Sequence, residues 1–437
     1  MKSYIQPAFC IFLFFILLFF SCQPKDKKQV ISKIHAVIND QKPALDSLLD
    51  YYVDEDFYPF VYARLENIDG SVLYEHGQQN SNLLPNIKIN KDTWIRIWSM
   101  SKIVTITLAL DLIEEGVLHF DDPVTKFIPE FKNLQIARAN DGSPLTNVNL
   151  STLENICPLQ LVPNDSVMTI LHLLNHQAGF YYATTGLECL DSMLAEKNIA
   201  ASKNNQDFID RLASLPLIQQ PGESDYYGIN TTVLGFVAER ASGKSLKQLV
   251  DDKLGKGLKI KGLQYGVPDG TTLIPKFTGR DSILRKAKRG ELDIFGPDVP
   301  DYDPDHELYL GGEGMLATAD GYADFVRMLV QHGSLNGNRF LEEETVEDIY
   351  APHSQLDNPY GYNGYNLWVS GDSMRLKGLG DAGLWIGGGY ECTHFWADPK
   401  RNFVGVIMSQ NNQVKSPGYE MNDKFKGLLY KALFEIE

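Results

Sequence analysis

Apolar and polar positions divide the chain into stretches of different period. Ala8 to Phe20 is a nearly unbroken apolar run, which gives way abruptly to Gln23-Pro24-Lys25-Asp26. Residues 23–40 are polar and read as a tether. From Leu45 to Tyr52 the apolar positions recur with a short helical period. Phe60 to Leu65 and Ser71 to Tyr74 flank Asp69-Gly70, which predicts a hairpin. A helical run then opens at Ile95, continues through Glu115 and stops near Gly116. Segment 133–168, rich in Asn, Ser, Thr and Pro, predicts a long loop. Residues 169–290 read as mostly helical, with breaks at Gly179, Pro221-Gly222 and Gly255. Helices are expected at Ala319–His332 and Glu342–Ile349. Beyond them Thr393–Trp396 and Phe403–Ser409 flank Asp398-Pro399, a second hairpin. Hairpins at both ends around a helical middle predict an α/β (α+β) fold. An antiparallel sheet flanked by helices would draw on residues 41–132 and 295–437, with 133–294 inserted as a mostly helical lobe. No internal repeat is visible.

The first apolar run is short for a membrane span and suits the core of a signal peptide over residues 1–22, with Lys2 as a minimal positive start. It ends in Phe19-Phe20-Ser21-Cys22, similar to a bacterial lipobox, in which Cys22 would be lipidated and become the mature N-terminus. The expectation is an exported, periplasmic or membrane-anchored lipoprotein. Of the five cysteines, Cys10 and Cys22 fall in this segment, leaving Cys157, Cys189 and Cys392. An oxidising compartment permits a Cys157–Cys189 disulfide without establishing one. A formal charge of −16 with no offsetting basic stripe argues against nucleic-acid binding.

The candidate chemistry begins in Ile95-Arg96-Ile97-Trp98-Ser99-Met100-Ser101-Lys102. Ser99 is the one serine in the chain with a lysine three residues later. On a helix that spacing places both side chains on one face, so the ammonium reaches the hydroxyl. A serine needs a base to become a nucleophile, and a lysine serves if its pKa is depressed. Alone, the pattern equally describes a capping serine before a solvated lysine.

Further landmarks follow in order. Glu115-Gly116-Val117-Leu118 with Asp121-Asp122-Pro123-Val124, then Leu173-Leu174-Asn175-His176-Gln177-Ala178-Gly179, then Gly311-Gly312-Glu313-Gly314-Met315-Leu316-Ala317-Thr318 accompany the serine motif. Together they resemble the penicillin-recognising serine hydrolases, a superfamily of class C β-lactamases, D-alanyl-D-alanine carboxypeptidases and family VIII carboxylesterases. The resemblance runs from about Phe57 to Gln410 and implies a β-lactamase/transpeptidase-like fold with Ser99 as nucleophile and Lys102 as its base.

The second catalytic motif of that superfamily is a tyrosine after Pro-Gly, whose phenol moves protons to the leaving group and from water. In Pro221-Gly222-Glu223-Ser224-Asp225-Tyr226-Tyr227-Gly228-Ile229-Asn230 the register points to Tyr227, with Tyr226 as the fallback. The β-lactamase pattern Tyr-x-Asn is not met, because Ile229 holds the third place. The third motif aligns with Gly387-Gly388-Gly389, within Trp385 to Tyr390. Gly388 and Gly389 would let substrate lie against the strand, and the Tyr390 N–H would join that of Ser99 as an oxyanion donor. The superfamily's usual lysine is missing there, so a substrate carboxylate would lose a charge-assisted contact.

Other constellations are weaker. His172 and His176 have zinc-like spacing, but Leu173 replaces the glutamate of His-Glu-x-x-His and no third ligand suggests itself, so both read as structural. No Gly-x-Ser-x-Gly elbow occurs. The segment Phe180-Tyr181-Tyr182 either lines the cleft or packs in the core. The sequence therefore predicts a serine hydrolase without metal or cofactor, working through an acyl-enzyme and foremost a carboxylesterase on small or uncharged esters. A β-lactamase, a D-amino-acid peptidase and a non-catalytic envelope binding protein remain the alternatives.

Overall fold

The computed structural model describes residues 24–146, 156–279, 281–288, 290–292, 295, 307–355, 359–411 and 420–436. Residues 1–22, expected to be a signal segment ending in Cys22, lie outside the described residues.

Helix α1 spans Pro24–Asp54 and leads into the strands β1 (Phe60–Asn67) and β2 (Val72–Gln79). Helix α2 (Ser101–Glu114) and helix α3 (Asn230–Ser242) belong to the middle of the chain, and α4 spans Ala319–Val330. Six further strands follow: β3 (Ser354–Gln355), β4 (Gly361–Asn363), β5 (Trp368–Ser370), β6 (Trp385–Gly388), β7 (His394–Asp398) and β8 (Phe403–Met408). Helix α5 closes the described chain at Glu420–Phe434. The strands form one antiparallel sheet in the order β3-β4-β5-β6-β7-β8-β1-β2. The two predicted hairpins thus lie side by side towards one edge of the sheet, joined where β1 meets β8 and Tyr62 lies opposite Met408.

Strand alternation explains the layers. In β1, Val61, Ala63 and Leu65 pack with Ile38, Leu45 and Leu49 of α1 and with Phe425 and Leu429 of α5. Phe60 and Tyr62 face the opposite way, into the larger core with α2, α3 and α4. Helix α2 has no solvent face along most of its length, since every residue from Ser101 to Leu112 is buried. Burial on every face marks a central helix wrapped on all sides.

Three expectations need correction. Residues 23–40 do not form a polar tether: from Pro24 they are helical, and Ile34 and Ile38 are buried against the sheet. Spaced apolar residues among many charges were enough for one helical face. Segment 133–168 is not wholly loop, because Gln135–Arg138 pairs with Gln160–Pro163, and Leu217 N–H donates to Gln135 O. These strands are four residues each, too short to alternate visibly. Gly255 does not break the chain, as Val250–Gly257 continues as a wide π-helical turn. The possible Cys157–Cys189 disulfide does form, tying this hairpin segment to the helix Glu188–Lys197.

Candidate active site

The nucleophile turn is anchored before the helix starts. Ile95-Arg96 pairs with Met315–Ala317, which pairs in turn with Leu263–Tyr265. Residues Trp98–Met100 then form a 3₁₀ turn, so Ser99 sits just ahead of α2 while Lys102 lies in its first turn. Ser101 Oγ accepts from Met315 N–H at 3.1 Å, and Tyr322 Oη–H donates to Met100 O at 3.0 Å. The predicted Ser-x-x-Lys geometry arises from this turn together with the helix.

Lys102 Nζ lies 3.2 Å from Ser99 Oγ, and Tyr227 Oη lies 2.8 Å from the same oxygen. Of the two tyrosines after Pro221-Gly222, Tyr227 is therefore the one that reaches Ser99, while Tyr226 lines the cleft beside it. Tyr227 stacks on His176, with ring centroids 5.0 Å apart.

The lysine meets surroundings that the sequence did not suggest. It is fully buried and also donates to Tyr182 Oη at 2.8 Å, Gly312 O at 3.1 Å and Glu313 Oε1 at 3.2 Å. Tyr182 Oη–H donates to Glu313, and Thr232 Oγ1–H reaches its other oxygen at 2.5 Å. Burial pulls the lysine pKa down, but Tyr227 and Glu313 outweigh it and hold it above the ordinary value. This contradicts the depressed pKa that a resting lysine base requires: Lys102 is held as an ammonium. Burial and Glu313 together push the Tyr182 phenol well up, so it remains a donor.

Tyr182, Glu313 and Thr232 had no assigned role in the sequence reading. The signal for Glu313 was a lone acid among glycines that precede an apolar strand. Those glycines are explained by close approach, since a Cβ on Gly311 would lie 2.6 Å from Thr231 O and one on Gly312 3.2 Å from Lys102 Nζ.

The two histidines have different partners. His172 Nδ1 accepts from Thr169 N–H at the start of its own short helix. Asn230 Nδ2 lies 3.1 Å from His176 Nδ1, and Asn366 Oδ1 lies 3.2 Å from its Nε2. Burial and Lys102 push His176 down to about 3, so the ring is neutral. Asn230, one place beyond the position the Tyr-x-Asn pattern requires, is turned to His176 and Tyr226 O.

Strand β6 carries Gly387 and Gly388, and the chain turns at Gly389 and Tyr390. Gly389 N–H donates to Thr393 O at 2.8 Å. A Cβ on Gly389 would fall 2.5 Å from Ile97 O, so this backbone lies directly against the nucleophile turn. Ser99 opens into two cavities. One of about 320 Å³ is lined by His176, Asn363, Asn366, Trp368 and Gly388 among others. The other, of about 500 Å³, is lined by Tyr182, Tyr226, Tyr227, Gly389 and Tyr390.

A serine, lysine and tyrosine gathered at the start of a buried helix, against an antiparallel sheet, fit the class of serine hydrolases with a β-lactamase-like fold. Residues 67–424 match the Beta-lactamase family model, and the chain belongs to that family. Protein Rv1367c of Mycobacterium tuberculosis is 29% identical over 348 residues, covering 74% of this chain and 79% of its own. Esterase EstB of Burkholderia gladioli is 30% identical over 197 residues, covering 44% and 43% respectively. Among solved structures, EstCE1, described as a hydrolase with promiscuous acyltransferase activity, superposes with a TM-score of 0.67 at 18% identity. The match covers 94% of this chain and 100% of EstCE1.

Proposed function

We propose that the protein is a carboxylesterase that acts through an acyl-enzyme on small, uncharged esters. The reading rests on one observation above all: Ser99 Oγ lies between Tyr227 Oη at 2.8 Å and the Lys102 ammonium at 3.2 Å. The Tyr227 oxygen serves as the base that takes the Ser99 proton as Oγ attacks the ester carbonyl, with the Lys102 ammonium beside both. The backbone N–H groups of Ser99 and Tyr390 receive the oxyanion. Tyr227 then returns the proton to the departing alkoxide. In the second half it takes a proton from water, whose oxygen attacks the acyl carbon and frees Ser99. Lys102 positions Tyr227 and supplies charge; it is not the resting base.

Two features favour an ester over a β-lactam or peptide: a third motif of glycines in place of a lysine, and Ile229 where the β-lactamase pattern has an asparagine. A second reading is acyl transfer to an alcohol, favoured by the likeness to EstCE1. The two share every step up to the acyl-enzyme and differ in whether water or an alcohol attacks it.

The test is hydrolysis of p-nitrophenyl butyrate by the wild type and by Ser99→Ala, with nitrocefin in parallel. Steady ester turnover that disappears in the variant is expected. Undiminished turnover in Ser99→Ala would refute the nucleophile assignment, and rapid nitrocefin cleavage with little ester turnover would refute the substrate class. Added alcohol that yields a new ester would favour transfer.

A further inference from the structure

We propose that Trp98 and Glu391 form a buried positioning pair that sets the distance between the two oxyanion donors, an inference that rests on the acyl-enzyme reading above. Trp98 immediately precedes Ser99, and Glu391 immediately follows Tyr390. Trp98 Nε1–H donates to Glu391 Oε2 at 2.6 Å, so one hydrogen bond joins the residues flanking the two donors.

Three observations carry the proposal. Trp98 has φ +48°, a left-handed backbone that is costly for a bulky residue and persists only where neighbours impose it. Glu391 is wholly buried, where a carboxyl group is costly unless hydrogen-bonded. It lines neither cavity at Ser99, so contact with substrate does not account for it. Its second partner is Gln410 Nε2–H at 2.9 Å, and Asn411 N–H donates to the Glu391 main-chain O at 3.1 Å, so carboxyl and backbone are both tied to the segment after β8. Burial outweighs the pull of Arg96 and holds its pKa above the ordinary carboxyl range, yet Oε2 accepts from the indole in either protonation state.

The remaining contacts between the two turns are weak or merely steric. Tyr390 packs edge-on against Trp98 at 5.5 Å between ring centroids, and Thr393 Oγ1 reaches Ile97 O at 3.4 Å. Between these two turns the indole–carboxyl bond, at 2.6 Å, is shorter than the Thr393–Ile97 contact at 3.4 Å. Losing it would let the Ser99 and Tyr390 amides drift apart, and a shift near 1 Å costs roughly a hundredfold in rate.

The experiment uses the full-length protein carrying Trp98→Phe, Glu391→Leu, both together, Glu391→Gln, and Ser99→Ala. Ester turnover is followed alongside the rate of covalent labelling by a fluorophosphonate. Trp98→Phe and Glu391→Leu should each lower kcat and labelling rate about tenfold to a hundredfold, with KM within about twofold. The double variant should fall no further than the worse single one. Glu391→Gln retains an acceptor and should recover most of what Glu391→Leu loses; with Trp98→Phe it carries the test should the leucine variant not fold. Wild-type rates in Trp98→Phe, a glutamine variant as impaired as the leucine one, or additive losses in the double variant would overturn the proposal. Activity persisting in Ser99→Ala, or a wild type that is never labelled, would overturn the acyl-enzyme reading and this inference with it.

Discussion

Lys102 Nζ has four oxygens around it, on Ser99, Tyr182, Gly312 and Glu313, for the three protons of an ammonium. The sequence placed this lysine beside Ser99 because three residues separate them, which is a local fact. It could not show that Glu313, 211 positions away, would hold the charge on. His176 is a similar case. Its landmark was legible, but its stacking on Tyr227 and its low pKa depend on burial. With a pKa of about 3 in the fold against 6.5 unfolded, its contribution to stability is complete above pH 6.5 and is lost as pH falls toward 3. That amounts to about 2 kcal/mol at pH 5. Unfolding free energies from urea titrations at pH 7 and pH 5 should therefore diverge less in His176→Gln than in the wild type, by about that amount. His394, also depressed by burial, contributes equally to both proteins, so an unchanged difference would contradict the assignment.

At the level of elements, the sequence read hairpins better than it read short or crossing segments. Asp69-Gly70 and the Asp398-Pro399 turn mark where β1 meets β2 and β7 meets β8, since turn chemistry is local. The strand pair at Gln135–Arg138 escaped because four residues carry too little period, and the contact of β6 with the Ser99 turn is visible only in space. That contact leads to a prediction. A methyl on Gly389 would lie 2.2 Å from Thr393 Oγ1 and 2.5 Å from Ile97 O, which forces the strand end away from the nucleophile. Gly389→Ala should fold, by circular dichroism, while losing on the order of a hundredfold in kcat; full activity would show that the turn has slack. The Cys157–Cys189 bond closes a loop with a sequence separation of 32, for which chain entropy gives about 3–4 kcal/mol. A Cys157→Ser/Cys189→Ser protein should unfold at correspondingly lower denaturant. An equal midpoint would place that segment outside the cooperative unit.

Over the whole molecule, the sheet takes β1 and β2 from residues 60–79 and its other strands from 354–408, so the site forms only when distant segments meet. Helix α1 shows how this changes a reading. Its charged sequence resembled a spacer, yet it covers one face of β1 and would hold the fold close to whatever precedes Pro24. If Cys22 is lipidated, expression in a bacterial host should place the protein in the membrane fraction, and Cys22→Ser should release it to the soluble fraction with unchanged ester turnover. A wild type found only in the soluble fraction would contradict lipidation.

The sequence by itself determined the family and the serine–lysine pair, and it favoured Tyr227 while leaving Tyr226 as the fallback. Each depends on spacing within a few residues or on the order of short motifs. Only the tertiary structure decided the charge on Lys102, the turning of Asn230 toward His176 and the bond between Trp98 and Glu391. Each of these depends on burial and on partners tens to hundreds of residues away, which spacing along a chain does not encode.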